Sequence, residues 1–159
     1  MKPTPRFLVS DPSHFIALGF GSGLAPRAPG TFGTLLGWAL FPLVRAPLAD
    51  LGFGLLLVAC FLAGIVVCER TGRALGVADH GAIVWDEIVA IWLVLWLTPA
   101  GFGWQLAAFV LFRFFDIVKP QPIRWVDDRT RGGFGVMLDD LIAAGYTLIV
   151  LALLVRFLG

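Results

Sequence analysis

The sequence predicts an all-α fold, a helical membrane bundle of about five to six helices. Three observations lead there. Hydrophobic residues make up 58% of the 159 and charged residues 14%, against about 45–50% and about 25% in ordinary globular chains. Residues 51–68 run for eighteen positions without a charge, near the minimum for a membrane-spanning helix. The charges gather instead in a few stretches, and residues 112–140 hold five of the eleven acidic and five of the twelve basic residues. The length suits one domain, expected over residues 14–159 behind a polar segment, residues 1–13.

Taken in order, residues 14–21 suit a short helix. Residues 21–34, GSGLAPRAPGTFGT, are too rich in Gly and Pro for a long one. Their free N–H groups, with Arg27, could hold an anion, or the segment could simply connect. Residues 32–44 read as an apolar helix stopped by Pro42 or Pro47. The charge-free run 51–68 forms the next helix and continues into a polar end with Glu69, Arg70 and Arg73. A loop at 76–81 precedes a helix over 82–97, which Thr98 and Pro99 stop. After a turn at 99–103, residues 104–118 form another helix, closed by Pro120. Residues 119–135, with two prolines and three glycines, read as loop, and 138–157 as the last helix. The short apolar stretch from Phe15, broken by glycines, is not expected to be a cleaved signal peptide.

Sidedness follows from the charges. With residues 1–30, 69–87 and 112–140 on one face of a membrane, ten of twelve basic and ten of eleven acidic residues fall there. The basic bias marks that face as cytoplasmic. Acidic residues contribute little to that rule, so their gathering marks a site. A net charge of +1 gives no reason to expect nucleic acid as a partner. Cys60 and Cys68 show neither disulfide nor zinc spacing and read as buried thiols.

The helices on either side of the 99–103 turn form a hairpin, in which residues equidistant from the turn share a level. Asp86 and Glu87 lie about fifteen residues before Gly101 and Asp116 about fifteen after it. Three carboxylates therefore meet near one end. Asp139 and Asp140 are expected to open the last helix on the same side, and Asp79 and His80 lie in the loop before the hairpin. Carboxylates at an apolar boundary need a counter-charge. Oxygen donors without cysteine suit Mg²⁺ better than Zn²⁺, and Mg²⁺ in turn suits a phosphate. Lys119, Arg124, Arg131 and Arg27 are candidate phosphate-holding cations. Asp86, Glu87, Asp116, Asp139 and Asp140 are the candidate metal ligands. Asp86, Asp116, His80 and Asp79 are the candidate catalytic groups.

Each residue also has a structural reading. Asp79 and Asp139 could cap helices. Arg113 and Asp116, three apart, could be an ion pair. Asp127, Asp128 and Arg129 could form a solvated loop, and His80 a local hydrogen bond. Several phosphatase chemistries are excluded. Cys68 and Arg73 are one residue too close for a cysteine-phosphatase loop. The DxDx[TV] motif of aspartyl-phosphate enzymes, the Lys-x6-Arg-Pro motif of histidine-based lipid phosphatases and the Gx4GK[ST] nucleotide loop are all missing.

Three stretches, GFGSGLAPRAPGTFGT, DHGAIVWDEIVAIW and FRFFDIVKPQPIRWVDDRTRGGFGVMLDDLIA, resemble the signature blocks of the phosphatidylglycerophosphatase A family. The resemblance covers about residues 14–145, with the blocks in the expected order. It implies a bacterial inner-membrane, Mg²⁺-dependent lipid phosphatase. Such an enzyme removes the terminal phosphate of phosphatidylglycerophosphate and leaves phosphatidylglycerol, the precursor of cardiolipin. It implies an all-helical fold with a central helix surrounded by others. The matching polar positions are Asp79, His80, Asp86, Glu87, Asp116, Lys119, Asp127, Asp139 and Asp140. The competing reading of the same carboxylates is a cation or proton transport protein, which would place them at mid-membrane depth.

Overall fold

The computed structural model describes residues 2–158, and of Asp127 and Leu158 only the backbone. All regular structure among the described residues is helical, as the composition required. Two short helices begin the chain. In α1 (Pro5–Leu8) the Thr4 hydroxyl accepts from the Phe7 N–H at 3.2 Å. In α2 (Pro12–Ala17) the Asp11 carboxylate accepts from the Ser13 N–H at 2.7 Å. Both have Pro in the first turn, where the missing donor costs nothing. The Ser13 N–H holds the Asp11 carboxyl below its ordinary value. A 3-10 segment over Gly19–Leu24 follows.

Helix α3 (Pro29–Arg45) starts after Ala28 in a left-handed conformation and runs through Pro42. Of the two expected stops the helix takes the second: Pro42 sits in the last turn, its carbonyl still receiving the Ala46 N–H at 3.0 Å, and the helix ends at Arg45, just before Pro47. Helix α4 (Asp50–Leu75) extends beyond the charge-free run to take in Glu69, Arg70 and Arg73. It closes on Gly76 at φ 77°, with the Val77 N–H returning to the Gly72 carbonyl at 3.0 Å, a glycine-terminated cap.

Helix α5 (Trp85–Leu97) begins three residues later than the pattern suggested. The residues before it are held elsewhere. The Ile83 N–H donates to the His80 carbonyl at 2.7 Å and the Val84 N–H to the Ala17 carbonyl at 2.9 Å. Helix α6 (Phe102–Val118) matches the expected second arm of the hairpin. The stretch read as loop contains α7 (Ile123–Arg129), and α8 (Gly132–Leu158) starts six residues before the expected boundary at residue 138. Its glycines do not break it, since the Gly133 N–H is satisfied by the Glu69 carboxylate at 2.6 Å.

Helices α4 and α8 are long and apolar enough to cross a membrane. Helix α5 is too short for that test, but Trp85 to Trp92 are all buried. It packs against α3, α4, α6 and α8. Two of its tryptophans bond to neighbouring backbones, Trp85 Nε1 to the Cys60 carbonyl at 3.1 Å and Trp92 Nε1 to the Gly37 carbonyl at 2.8 Å. Cys60 and Cys68 are free thiols. The polar ends of α4, α5, α6 and α8 and the start of α3 thus share one end of the bundle. Arg45 and Asp50 form an ion pair at the other.

The α3–α5 contact rests on close approach. A Cβ at Gly37 would lie 2.7 Å from Ile91 Cγ2 and 3.2 Å from the Ile88 backbone. Gly37→Ala should therefore destabilise the protein by about 1–3 kcal/mol, read as a lower thermal unfolding midpoint with helical content retained.

Candidate active site

Adjacent positions on a helix point about 100° apart. The first turn of α5 therefore sends Asp86 and Glu87 to different neighbours, Asp86 toward α4 and α8 and Glu87 toward α3 and α6. Both are buried, at 7% and 8% exposure. Asp140 joins them from α8 at 3% exposure. One carboxylate oxygen from each of the three lies within 4.8 Å of the others. Asp86 Oδ1, Glu87 Oε2 and Asp140 Oδ2 are buried without a hydrogen-bond partner among the described residues.

Three carboxylates this close repel one another unless cations balance them. Arg113 of α6 supplies part of the balance. Its Nη1 lies 2.5 Å from Asp116 Oδ2, 3.6 Å from Glu87 Oε1 and 3.4 Å from the Thr34 hydroxyl. Gly30 of α3 leaves room for this pair, since a Cβ there would collide with Glu87 and Arg113. Asp116 neighbours both Glu87 and Asp140, so the equal-height argument for the hairpin holds. Lys119, left-handed at the end of α6, reaches Asp139 with 2.5 Å between Nζ and Oδ2.

The expected residues divide into groups. Asp86, Glu87 and Asp140 form the trio, and Asp116 adjoins it through Arg113. Asp139 is buried beside them but directed to Lys119. Asp139 and Asp140 do not open α8; they lie about two turns inside it, because α8 begins at Gly132. Asp139 is therefore no helix cap. His80 accepts the Ala82 N–H on Nδ1 at 3.1 Å, and the exposed Asp79 precedes it in the same loop. Arg27, Arg124 and Arg131 are exposed around this end. The side chain of Asp127 lies outside the described residues.

Two contributors escaped the sequence reading. Arg113 reads as a local partner of Asp116 by its i, i+3 spacing; its reach to Glu87 depends on the packing of α6 against α5. Glu69 lies outside the three sequence blocks, yet it ties α8 to α4 through the Gly133 N–H and pairs with Arg73 at 2.6 Å. A carboxylate ending an eighteen-residue apolar run was the signal available for Glu69; Arg113 had none beyond its charge in an apolar helix.

Chemically, the trio presents oxygen donors only, unsatisfied and inward-facing, beside fixed cations. That is the donor set of a hard divalent cation, and the orphaned oxygens are what such an ion would satisfy.

Comparison with known proteins agrees with the sequence blocks. The family model described as phosphatidylglycerophosphatase A matches residues 15–155. A Haemophilus influenzae phosphatidylglycerophosphatase A is 46% identical over 150 residues, covering 94% of this chain and 92% of that protein. The Escherichia coli phosphatidylglycerophosphatase A is 41% identical over 142 residues, covering 87% and 80%. A Bacteroides thetaiotaomicron protein is 40% identical over 144 residues, covering 86% and 89%, and carries the provisional name of a phosphatidylinositol-3-phosphatase. No solved structure matches the chain.

Two outcomes are expected. Adding a divalent cation should raise the thermal unfolding midpoint, by the equivalent of about 2.7 kcal/mol at a hundredfold excess over Kd, and a chelator should reverse it. Asp140→Asn should blunt that response. Arg113→Met should cost about 3–5 kcal/mol, because it leaves the buried Glu87 and the half-buried Asp116 without their cation; denaturation of the variant in chelator checks it.

Proposed function

The chain belongs to the phosphatidylglycerophosphatase A family, and on that premise we propose that it hydrolyses phosphatidylglycerophosphate to phosphatidylglycerol and inorganic phosphate with the help of Mg²⁺. The observation that carries the reading is the buried trio Asp86, Glu87 and Asp140, with its unpartnered oxygens beside Arg113. Asp86, Glu87 and Asp140 would hold Mg²⁺, with Asp116 and Asp139 as the adjoining carboxylates. When bound, Mg²⁺ supplies Lewis-acid stabilisation of phosphoryl oxygens and a water of lowered pKa.

The residues of the chain do the rest. Arg113 holds Glu87 and Asp116 oriented at the floor of the site. Lys119, released in part from Asp139, and the rim cations Arg124, Arg131 and Arg27 hold phosphate oxygens through charge-assisted bonds. Asp116 accepts the proton of the attacking water as its oxygen closes on phosphorus in line with the departing glycerol oxygen. The bond from phosphorus to that oxygen breaks. His80, whose Nδ1 accepts the Ala82 N–H, would turn its Nε2–H to the departing oxygen as a hydrogen-bond donor, and that oxygen takes its proton from water.

The setting is part of the proposal. Residues 14–159 form one domain behind the polar segment 1–13, with α5 as the central helix of the bundle. The apolar helices α4 and α8 would cross a bacterial inner membrane, and the basic bias supports a cytoplasmic face for the carboxylate end. A site at that level meets the headgroup of a lipid whose chains remain in the bilayer.

The test is phosphate release from phosphatidylglycerophosphate by the detergent-purified protein, with and without Mg²⁺, beside phosphatidylinositol 3-phosphate. Release that needs Mg²⁺ and prefers the glycerophosphate lipid is expected. Asp86→Asn should lower kcat by at least about 10²–10³-fold, the cost of removing one preorganised charge-stabilising group, with circular dichroism unchanged. Full turnover in that variant would remove Asp86 from the site.

A further inference from the structure

The bundle contains one feature that the phosphate chemistry does not use. A cavity of about 300 Å³ lies between α4, α5 and α8. Gly54, Leu57 and Phe61 of α4 line one side, and Leu93 and Trp96 of α5 another. Met137 of α8 contributes beside Asp86. Asp86 is the sole charged residue in the lining. It stands at one end, and its Oδ1 is buried without a partner among the described residues.

From these facts we infer that the groove holds one acyl chain of the lipid substrate, with the phosphate-bearing headgroup at the Asp86 end. The inference rests on the lipid-phosphatase reading and adds where the rest of the substrate lies. Three observations favour an acyl chain over other occupants. The first is polarity: the groove is apolar along its length and continuous, through Asp86, with the carboxylate trio. An amphiphile with a charged head and a hydrocarbon tail matches that arrangement.

The second is length. Asp86 and Trp96 both line the groove, ten residues apart on α5, which at 1.5 Å per residue is about 15 Å. The hydrocarbon core of a bilayer is about 30 Å thick, so the groove is as long as one leaflet is deep. The third is access. The rim residues Val58 of α4 and Leu141 of α8 are exposed, at 57% and 37%. They belong to the two helices apolar enough to span the membrane. The mouth therefore opens sideways between them, toward the lipid from which a chain would enter.

Gly54 sets the distal end. A Cβ there would lie 3.2 Å from the Trp96 ring, so a leucine fills the last turn of the groove. Phosphate release is measured from dipalmitoyl and from dihexanoyl phosphatidylglycerophosphate in mixed micelles, for the wild type, Gly54→Leu and Val58→Trp. In both variants KM for the dipalmitoyl substrate should rise about tenfold, the loss of about two buried methylenes. KM for the dihexanoyl substrate and kcat for both should stay within about twofold, a margin well under the tenfold step of 1.4 kcal/mol.

An unchanged dipalmitoyl KM in either folded variant overturns the proposal. So does an equal rise for both chain lengths, which would mean a general distortion of the site. A shift of oligomeric state with the dipalmitoyl KM unchanged also overturns it, and assigns the groove to a second copy. If Gly54→Leu loses its helical circular dichroism, Val58→Trp, at an exposed rim, decides alone. Wild-type protein that releases phosphate from neither substrate removes the phosphatase reading itself, a failure distinct from that of the groove.

Discussion

Burial of carboxylates at one end of an apolar bundle is the constraint on which the rest of this structure depends. Each unpaired ion taken from water costs several kcal/mol, and five acidic side chains from three helices, α5, α6 and α8, converge here. The arrangement stands because Arg113 reaches Glu87 and Asp116, and Lys119 reaches Asp139. What these pairs leave over is the trio with its orphaned oxygens. Those unsatisfied, inward-facing carboxylate oxygens could hold a metal ion.

The helices are built to deliver those groups. Helix α5 carries two of the three trio members in its first turn and is enclosed by α3, α4, α6 and α8. Such a position admits little backbone movement, because its neighbours approach as closely as Gly37 and Gly30 allow. Glu69 fastens the start of α8 to α4, which sets the height of Asp140. The acidic groups are thus held by rigid elements rather than loops, the condition for preorganised electrostatics. Arg27, Arg124 and Arg131 lie instead exposed around that end.

Polarity also divides the molecule along its length. The carboxylate end can take a charged headgroup, and the groove behind Asp86 can take hydrocarbon. An enzyme acting on a lipid must hold both parts of an amphiphile at once, and Asp86 is where the two surfaces meet.

Much of this was legible in the residues. Apolar content pointed to the helical class, and the hairpin spacing put Asp86, Glu87 and Asp116 at one level. The sequence blocks identified the family. Periodicity misjudged the helix boundaries wherever tertiary hydrogen bonds overrode local breakers: Val84 is held by Ala17, and Gly133 by Glu69. Spacing along one chain reports height on a helix but not direction around it. It therefore could not tell that Asp140 turns toward Asp86 while Asp139 turns to Lys119, or that Arg113 serves Glu87 across two helices. By itself the sequence determined which charges sit at which end of which helix. The tertiary structure decided which of them touch, because contact depends on how the helices rotate and pack, and that is settled by apolar burial over the whole bundle rather than by any local run of residues.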